Sequence, residues 1–427
     1  MSTEGGFTKN QWLSLAASVS GWALDAMDWM MLALLLPLIG VEWSLSLPQL
    51  GLLATLTLAG AAIGGIIVGV LADYYGRVRM LMLTMLWYSV FTGVCAFAQS
   101  YEQLCVARFV TGVGLGGEWA VGAALVSEYW PDRHRAKITS LVHSGWPVGY
   151  GLASLAFMLV APSYGWRGMF LVGVLPALFA IVIRLTVPEP EEWVKAKASR
   201  SQAKEATPFP LAALFSRGLM RNTLWCTVFT TGALMAYWGA GTWLPSYLAS
   251  VRGLTIVKSG GFLLLLNVGG FLGYQFYGWL ADRTGRRVSL QVGFVAAIVS
   301  TLIYVLLPSE DALFWFGPVF AFNTYGLYGP FGAYISELFP TEARAAGTAF
   351  CFNVGRAVSM SSPFIIGLLA QGYGLSVGLG ATMVFNIIGI IALVFLPETV
   401  RAGLKVHFAS TSAEQPDAVT AAKQPAE

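Results

Sequence analysis

Long apolar stretches, separated by short polar ones, recur along the whole of this chain. They lie near residues 13–39, 50–72, 80–98, 103–127, 138–161, 166–187, 222–249, 259–281, 288–307, 312–336, 345–370 and 374–396. About 20 helical residues cross the hydrocarbon core of a bilayer, and in lipid the backbone must satisfy its hydrogen bonds within such helices. Only 11% of the 427 residues are charged, against about 25% in soluble domains. The sequence therefore predicts an all-α membrane protein with twelve transmembrane helices.

The positions of the basic residues predict how these helices are oriented. Cytoplasmic loops of membrane proteins are enriched in Lys and Arg. The odd-numbered loops contain only Arg167, Arg252 and Lys258, whereas the even-numbered loops carry many more, including those of the stretch 195–221. Both termini are therefore predicted to be cytoplasmic, in a multi-pass protein of the cytoplasmic (inner) membrane. The opening residues show no signal-peptide pattern, so the first helix itself is expected to direct insertion.

A repeat with a constant offset of 209 residues divides the chain into two halves. ADYYGR, which ends in Arg77, recurs as ADRTGR, SEYWP recurs as SELFP, and PE at 188–189 recurs at 397–398. Landmarks that share one register indicate two six-helix bundles of common design, related by an axis along the membrane normal. The predicted divisions are a first bundle at 1–187, a cytoplasmic loop at 188–221, a second bundle at 222–397 and a disordered tail at 398–427.

The loop motif and several longer segments resemble the major facilitator superfamily. GVLADYYGRVR between spans 2 and 3 resembles the loop signature of the superfamily, and GWLADRTGRR between spans 8 and 9 resembles its weaker second copy. DAMD in span 1, RFVTGVGLGGEW in span 4, SEYWPDRHRAK after it, and GWRGMFLVGVLPALFA leading to VPEPEEW resemble the sialate and lactate proton symporters. The resemblance covers nearly the whole chain. It implies import of an organic anion with protons by alternating access, with an aromatic-acid or other metabolite symporter as the alternative.

Asp25 and Asp28 lie three positions apart in span 1, on one face of the helix. A carboxylate within a bilayer costs roughly 2.5–3.5 kcal/mol on insertion scales, so two of them require a reason. Either at least one binds the transported proton, or the pair is structural and bonds to a facing Arg or to backbone groups. The repeat places Leu234 and Tyr237 at the equivalent positions of the second half, so the acids are not part of the shared scaffold. Glu118 in span 4 is a third candidate for proton transfer, with a structural salt bridge as its alternative.

Arg356 lies about midway along span 11, so its guanidinium needs an anion within the membrane. It either pairs permanently with Asp25 or Asp28, or it binds the substrate carboxylate through a bidentate fork. Arg108 in span 4 is a second candidate, with a structural role between spans as its alternative. We expect protonation of the acidic pair to release Arg356 or Arg108 for the substrate. Polar side chains within spans must face protein or water, and four of them complete the predicted substrate site: Tyr237, Asn353, Asn267 and Trp146.

The resemblance also implies a set of gating residues in charge networks at the cytoplasmic side, where they hold one conformation closed. They are Asp73, Arg77, Glu128, Arg135, Asp282, Arg286, Glu337 and Arg344. His143 lies near the cytoplasmic end of span 5, where a hydrogen-bonded packing role is the preferred interpretation.

Several other function classes lack support in the sequence. The chain has no GxxxxGK[ST] motif for ATP, no nucleophile and base arrangement and no metal-site spacing of its cysteines. We therefore predict no enzyme activity, no cofactor, no metal and no nucleic-acid partner. A nutrient sensor would need a larger cytoplasmic domain, and a neutral sugar or drug carrier would have little use for Arg356. The predicted partners are a small organic acid, protons and the lipid bilayer, and the protein is expected to function as a monomer.

Overall fold

The structure, a computed structural model, describes residues 8–129, 138, 141–186, 214–216 and 218–399, and the regular secondary structure in these ranges is helical. The first half contains α1 (Lys9–Trp43), α2 (Leu47–Tyr75), α3 (Arg77–Cys95), α4 (Tyr101–Tyr129), α5 (Gly145–Val172) and α6 (Leu175–Thr186). The second half contains α7 (Met220–Ser250), α8 (Ile256–Thr284), α9 (Arg286–Leu306), α10 (Glu310–Thr324), a 3₁₀ turn (Gly326–Tyr328), α11 (Phe331–Glu337), α12 (Thr341–Ser359), α13 (Ser362–Tyr373) and α14 (Leu375–Phe395).

These helices confirm the predicted all-α architecture of twelve spans. Eight of the spans are single helices. The other four are spans 5 and 6, which share the helix α5, and spans 10 and 11, which each contain a break. α5 is kinked at Gly165, where φ is 60°, so its last turns and α6 together form span 6. Span 10 consists of α10, the 3₁₀ turn and α11, and span 11 consists of α12 and α13. Among the described residues, seven helical segments are long and apolar enough to cross a membrane by length and composition alone.

The repeated loop motif has the same backbone conformation in both halves. Gly76 connects α2 to α3 with φ 111° and ψ 152°, and Gly285 connects α8 to α9 with φ 104° and ψ 154°. A side chain is strained at such positive φ values, whereas glycine adopts them freely. The constant offset of 209 residues in the sequence therefore corresponds to the same turn conformation in both halves.

Glycines bring α2 and α4 into backbone contact. A Cβ atom added to Gly64 would lie 1.9 Å from the carbonyl oxygen of Val113, and one added to Gly116 would lie 1.9 Å from that of Ala61. Small residues allow this close approach in membrane helices, where van der Waals packing replaces a water-driven core. The glycine-rich stretch of span 4 is thus a helix-packing surface.

Among the described residues, the two halves meet mainly along three helix pairs, namely α1 with α7, α5 with α8, and α2 with α13. The contacts are tight on the side opposite the basic loops. A Cβ atom on Gly51 would lie 2.5 Å from the carbonyl oxygen of Pro363, and one on Gly260 would lie 3.1 Å from that of Ser154. We call this region the outer seal. In the predicted orientation, these contacts close the outer side of the protein.

Candidate functional site

A cavity of about 130 Å³ lies where the two halves meet. Its wall contains side chains from α1 and α5 of the first half and from α7, α8, α11 and α12 of the second half. It extends toward the predicted cytoplasmic side, because His143, Ile335 and Thr348 also line it. Aromatic rings form most of the wall, namely those of Trp22, Trp29, Trp146, Tyr237, Trp238, Tyr274, Tyr328, Phe331 and Phe352. The site is thus a largely apolar chamber with few polar groups, which is typical of pockets for small organic ligands.

An acid and a cation from opposite halves share this cavity. Asp25 of α1 and Arg356 of α12 both line it, and the two charges interact electrostatically. The Arg356 guanidinium also reaches toward α2, since a Cβ atom on Gly65 would lie 4.0 Å from Arg356 Nη1. The arrangement places one positive and one negative charge in an aromatic chamber, where each is only partly screened by water.

Asp28 and Arg108 form a second charge pair, which lies inside the first half. Arg108 Nη1 lies 3.3 Å from Asp28 Oδ2, and both side chains are almost completely buried. Thr92 donates a hydrogen bond of 2.5 Å to Asp28 Oδ1, and Arg108 Nε donates one of 3.3 Å to Thr57 Oγ1. The Phe170 ring covers the guanidinium at 5.8 Å. This cluster joins α1, α2, α3 and α4 and is not part of the cavity wall.

Helix geometry explains why the two acids of span 1 have different surroundings. Three residues turn a helix by about 300°, which leaves Asp25 and Asp28 about 60° apart. Trp22, Asp25 and Trp29 follow the i, i+3, i+7 spacing of one face and all line the cavity. Asp28 lies at the edge of that face, next to Thr92 and Arg108. Although the two acids are only three residues apart, Asp25 lines the chamber and Asp28 does not.

The other predicted substrate and proton residues divide in the same way. Trp146 and Tyr237 are in the cavity wall, where the indole Nε1 of Trp146 donates a short hydrogen bond to the Tyr237 hydroxyl across the interface between the halves. Asn267 and Asn353 lie outside the wall. The side chain of Glu118 lies outside the described residues. The structure adds Trp22, Trp29, Trp238 and His143 to the wall. Trp22 and Trp29 could have been found from the sequence, because their helical spacing places them on the same face as Asp25.

A tryptophan pair separates the cavity from a smaller one. The rings of Trp29 on α1 and Trp238 on α7 lie 4.7 Å apart, and Trp146 packs edge-on against Trp238 at 6.0 Å. Behind the pair is a small second cavity of about 10 Å³, lined in part by Thr57 and Thr242. Because the contacts join opposite halves, these rings must separate if the halves move apart on the outer side.

Part of the predicted gating network is visible in the second half. Arg286 forms a close ion pair with Asp282 and lies 3.5 Å from Glu337 through its Nε atom. Glu337 also accepts a hydrogen bond of 2.6 Å from Thr399, so the network ties the end of the bundle to α8, α9 and α11. Arg344 is exposed. The side chains of Asp73, Arg77 and Glu128, and the whole of Arg135, lie outside the described residues.

Comparison with known proteins identifies related sequences and a related fold. The sequence profile of the Major Facilitator Superfamily matches residues 20–331. A probable 4-methylmuconolactone transporter of Cupriavidus pinatubonensis is 36% identical over 392 residues, which cover 90% of each chain. The sialic acid transporter NanX of Escherichia coli is 29% identical over 84% of this chain and 87% of its own length. The crystal structure of a D-xylose–proton symporter has a TM-score of 0.72 at 16% identity, covering 91% of this chain and 98% of that one.

Proposed function

Because the chain belongs to the major facilitator superfamily and is a membrane transporter rather than an enzyme, we propose that it imports an organic acid, as its anion, together with protons. The protein would lie in the cytoplasmic membrane and expose the cavity to each side in turn. One observation carries the proposal, namely that Arg356 and Asp25 reach the same aromatic chamber from opposite halves.

Arg356 is the proposed anion-binding group. A guanidinium presents parallel N–H donors that match a carboxylate, and in an apolar chamber this attraction is stronger than in water. With Asp25 protonated, a neutral sugar would leave the positive charge without a partner. The relative named for sialic acid carries, by its name, an organic acid, which agrees with an anionic substrate.

The chamber favours a planar, unsaturated or aromatic acid as the substrate. Four tryptophans line it, and the hydroxyl of Tyr237 is already engaged by Trp146. Flat rings stack on such walls and gain contact area at little entropic cost. Sialic acid carries many hydroxyl groups, and lactate is small and polar with no flat apolar part, so both match this aromatic wall less well. We therefore place the aromatic-acid alternative ahead of sialate and lactate.

Proton coupling is proposed to use the competition between Asp25 and the substrate for Arg356. With Asp25 ionised, its charge neutralises Arg356 and opposes a second anion. Once Asp25 is protonated, Arg356 is free to bind the substrate carboxylate. Asp28 is held by Arg108 and Thr92, so a proton on Asp28 would loosen α1 from α4 and is the second proposed coupling step.

Uptake by purified protein in proteoliposomes tests the proposal. We expect labelled benzoate and 4-hydroxybenzoate to accumulate when the outside is acidic, and exchange between labelled and unlabelled acid to continue without a pH gradient. Sialic acid, lactate and glucose serve as competitors. Accumulation that persists after the proton gradient is collapsed would contradict proton coupling. Inhibition of uptake by glucose, without inhibition by sialic acid or lactate, would contradict an anionic substrate.

A further inference from the structure

Four polar side chains lie one layer behind the cavity wall, toward the outer seal. They are Tyr150 on α5, Asn267 on α8, Tyr304 on α9 and Tyr325 directly after α10, and we call them the outer polar cluster. None is more than 4% exposed. The Tyr150 hydroxyl interacts electrostatically with those of Tyr325 and Tyr304, so the three phenols converge although they come from three helices.

Four polar atoms of the cluster lack a hydrogen-bond partner within the part of the chain that the structure describes. Among the described residues, the hydroxyls of Tyr150, Tyr304 and Tyr325 and the Oδ1 atom of Asn267 make no hydrogen bond. The amide nitrogen of Asn267 donates to the carbonyl oxygen of Leu263 at 2.7 Å, which fixes the direction of the amide. A buried donor or acceptor without a partner is costly, and a protein normally satisfies almost all of them. Three such phenols converge, and the Asn267 oxygen lies on the helix face that packs against one of them, so the cluster can offer several hydrogen bonds to a ligand.

The cluster lies next to the cavity but is separated from it by two tyrosines. The ring of Tyr325 packs 5.3 Å from that of Tyr237 and interacts with Tyr274, and both of these line the cavity. A Cβ atom on Gly270 would lie 3.3 Å from the Tyr325 ring, so Tyr325 packs on the face of α8 that also carries Asn267. Tyr150 contributes from the first half, so the cluster spans the α5–α8 interface beneath the outer seal.

We propose that the outer polar cluster is a second binding subsite, which takes an uncharged hydroxyl or carbonyl group at the end of the substrate remote from its carboxylate. The inference rests on the proposed function, in which Arg356 holds the carboxylate. Because α5 and α8 belong to different halves, the subsite opens when the outer seal parts and closes around the substrate when the seal re-forms. It therefore acts on substrate that arrives from outside.

The chemistry of the cluster selects a neutral group. Phenol hydroxyls both donate and accept, and the Asn267 oxygen accepts, so a hydroxyl group finds partners for its proton and its lone pairs. A second carboxylate would need a cation. Arg252, which interacts with Tyr304, is already engaged by the Tyr247 hydroxyl and by the carbonyl oxygen of Val305.

The test compares 4-hydroxybenzoate with benzoate in wild-type protein, Tyr150→Phe and Tyr325→Phe. These variants keep the ring and remove only the hydroxyl. Loss of one or two hydrogen bonds changes affinity roughly tenfold, as 1.4 kcal/mol corresponds to a factor of ten. We expect the wild type to have a KM for uptake about tenfold lower for the hydroxylated acid. Each variant should abolish that preference and leave the KM for benzoate within about twofold. Its melting temperature should be unchanged or raised, because the hydroxyl that it removes has no hydrogen-bond partner among the described residues.

Tyr277→Phe is the matched control, because its hydroxyl donates to Asn323 Oδ1 at 2.9 Å outside the cluster. It should lower the melting temperature and keep the preference for the hydroxylated acid. Three results would overturn the proposed subsite. The wild type could lack the preference for the hydroxylated acid, the variants could retain that preference, or the variants could change the KM for both acids equally. Normal benzoate uptake in those cases leaves the proposed function intact, whereas failure to transport either acid refutes both.

Discussion

Asp28 Oδ2 and Arg108 Nη1 lie 3.3 Å apart in the interior of the first half, and neither side chain is more than 1% exposed. Asp25, only three residues earlier, lies instead in the wall of the central cavity with Arg356. Two acids of one short motif thus have different surroundings and different partners. This separation gives each of them a distinct expected phenotype.

Asp28→Asn should destabilise the protein. The substitution leaves the buried Arg108 charge without compensation, and removal of one member of a buried ion pair costs about 3–5 kcal/mol, although the Asn oxygen can retain part of the bonding. We expect a melting temperature in detergent several degrees below wild type. The double variant Asp28→Asn with Arg108→Gln should recover part of the loss through coupling between the two sites. Equal melting temperatures of wild type and Asp28→Asn would contradict the pairing.

Asp25→Asn should affect coupling more than stability. The side chain borders a cavity that water can enter, so loss of its charge leaves Arg356 partly hydrated rather than sealed in the protein core. We expect exchange of labelled for unlabelled acid to continue and accumulation driven by a proton gradient to disappear. A melting temperature near that of wild type is the control for folding. Unchanged gradient-driven accumulation would rule out Asp25 as a coupling residue.

Arg356→Gln should weaken substrate binding strongly. Hydrogen bonds to charged groups contribute about 1.5–3 kcal/mol each, so loss of the guanidinium should raise the dissociation constant about 100-fold. Arg356→Lys should show an intermediate value, because a single ammonium lacks the bidentate fork. Quenching of the tryptophan fluorescence of the cavity by benzoate measures both. Lys258→Gln, which removes an exposed cation on α8 that pairs with Glu310 outside the cavity wall, is the control and should bind as wild type does.

Gly64→Ala and Gly116→Ala should each destabilise the first half. Their added Cβ atoms would lie 1.9 Å from backbone carbonyl oxygens of the facing helix, so α2 and α4 would have to separate. Overpacking of this kind costs about 1–3 kcal/mol. Gly278→Ala on α8 is the control, because its Cβ atom would meet nothing within 4 Å. Thermal unfolding in detergent distinguishes them, and equal melting temperatures for all three variants would contradict the close packing.

The sequence predicted the architecture well because membrane spans and the 209-residue repeat are local, one-dimensional signals. Asp25, Arg356, Trp146 and Tyr237 were also predicted as functional residues, since a charge or polar group in an apolar span is conspicuous. The sequence could not separate Asp25 from Asp28. That difference depends on the close approach of α2 and α4, which places Arg108 beside one acid and not the other. The outer polar cluster was equally hidden, because tyrosines occur throughout the spans and only their convergence is informative.

Gly51→Ala should shift the protein toward its outward-open conformation. The new Cβ atom would lie 2.5 Å from the carbonyl oxygen of Pro363, in a contact between α2 and α13 that exists only while the outer side is closed. Thr242 lines the small cavity behind the Trp29–Trp238 pair. The substitution Thr242→Cys, made in a protein without its native cysteines, therefore provides a reporter thiol at this place. We expect a membrane-impermeant maleimide added outside to label it several-fold faster in the Gly51→Ala variant. Gly372→Ala on α13 should label at the wild-type rate, because its Cβ atom would meet nothing within 4 Å. Slower or unchanged labelling in Gly51→Ala would show that this contact does not hold the outer side closed.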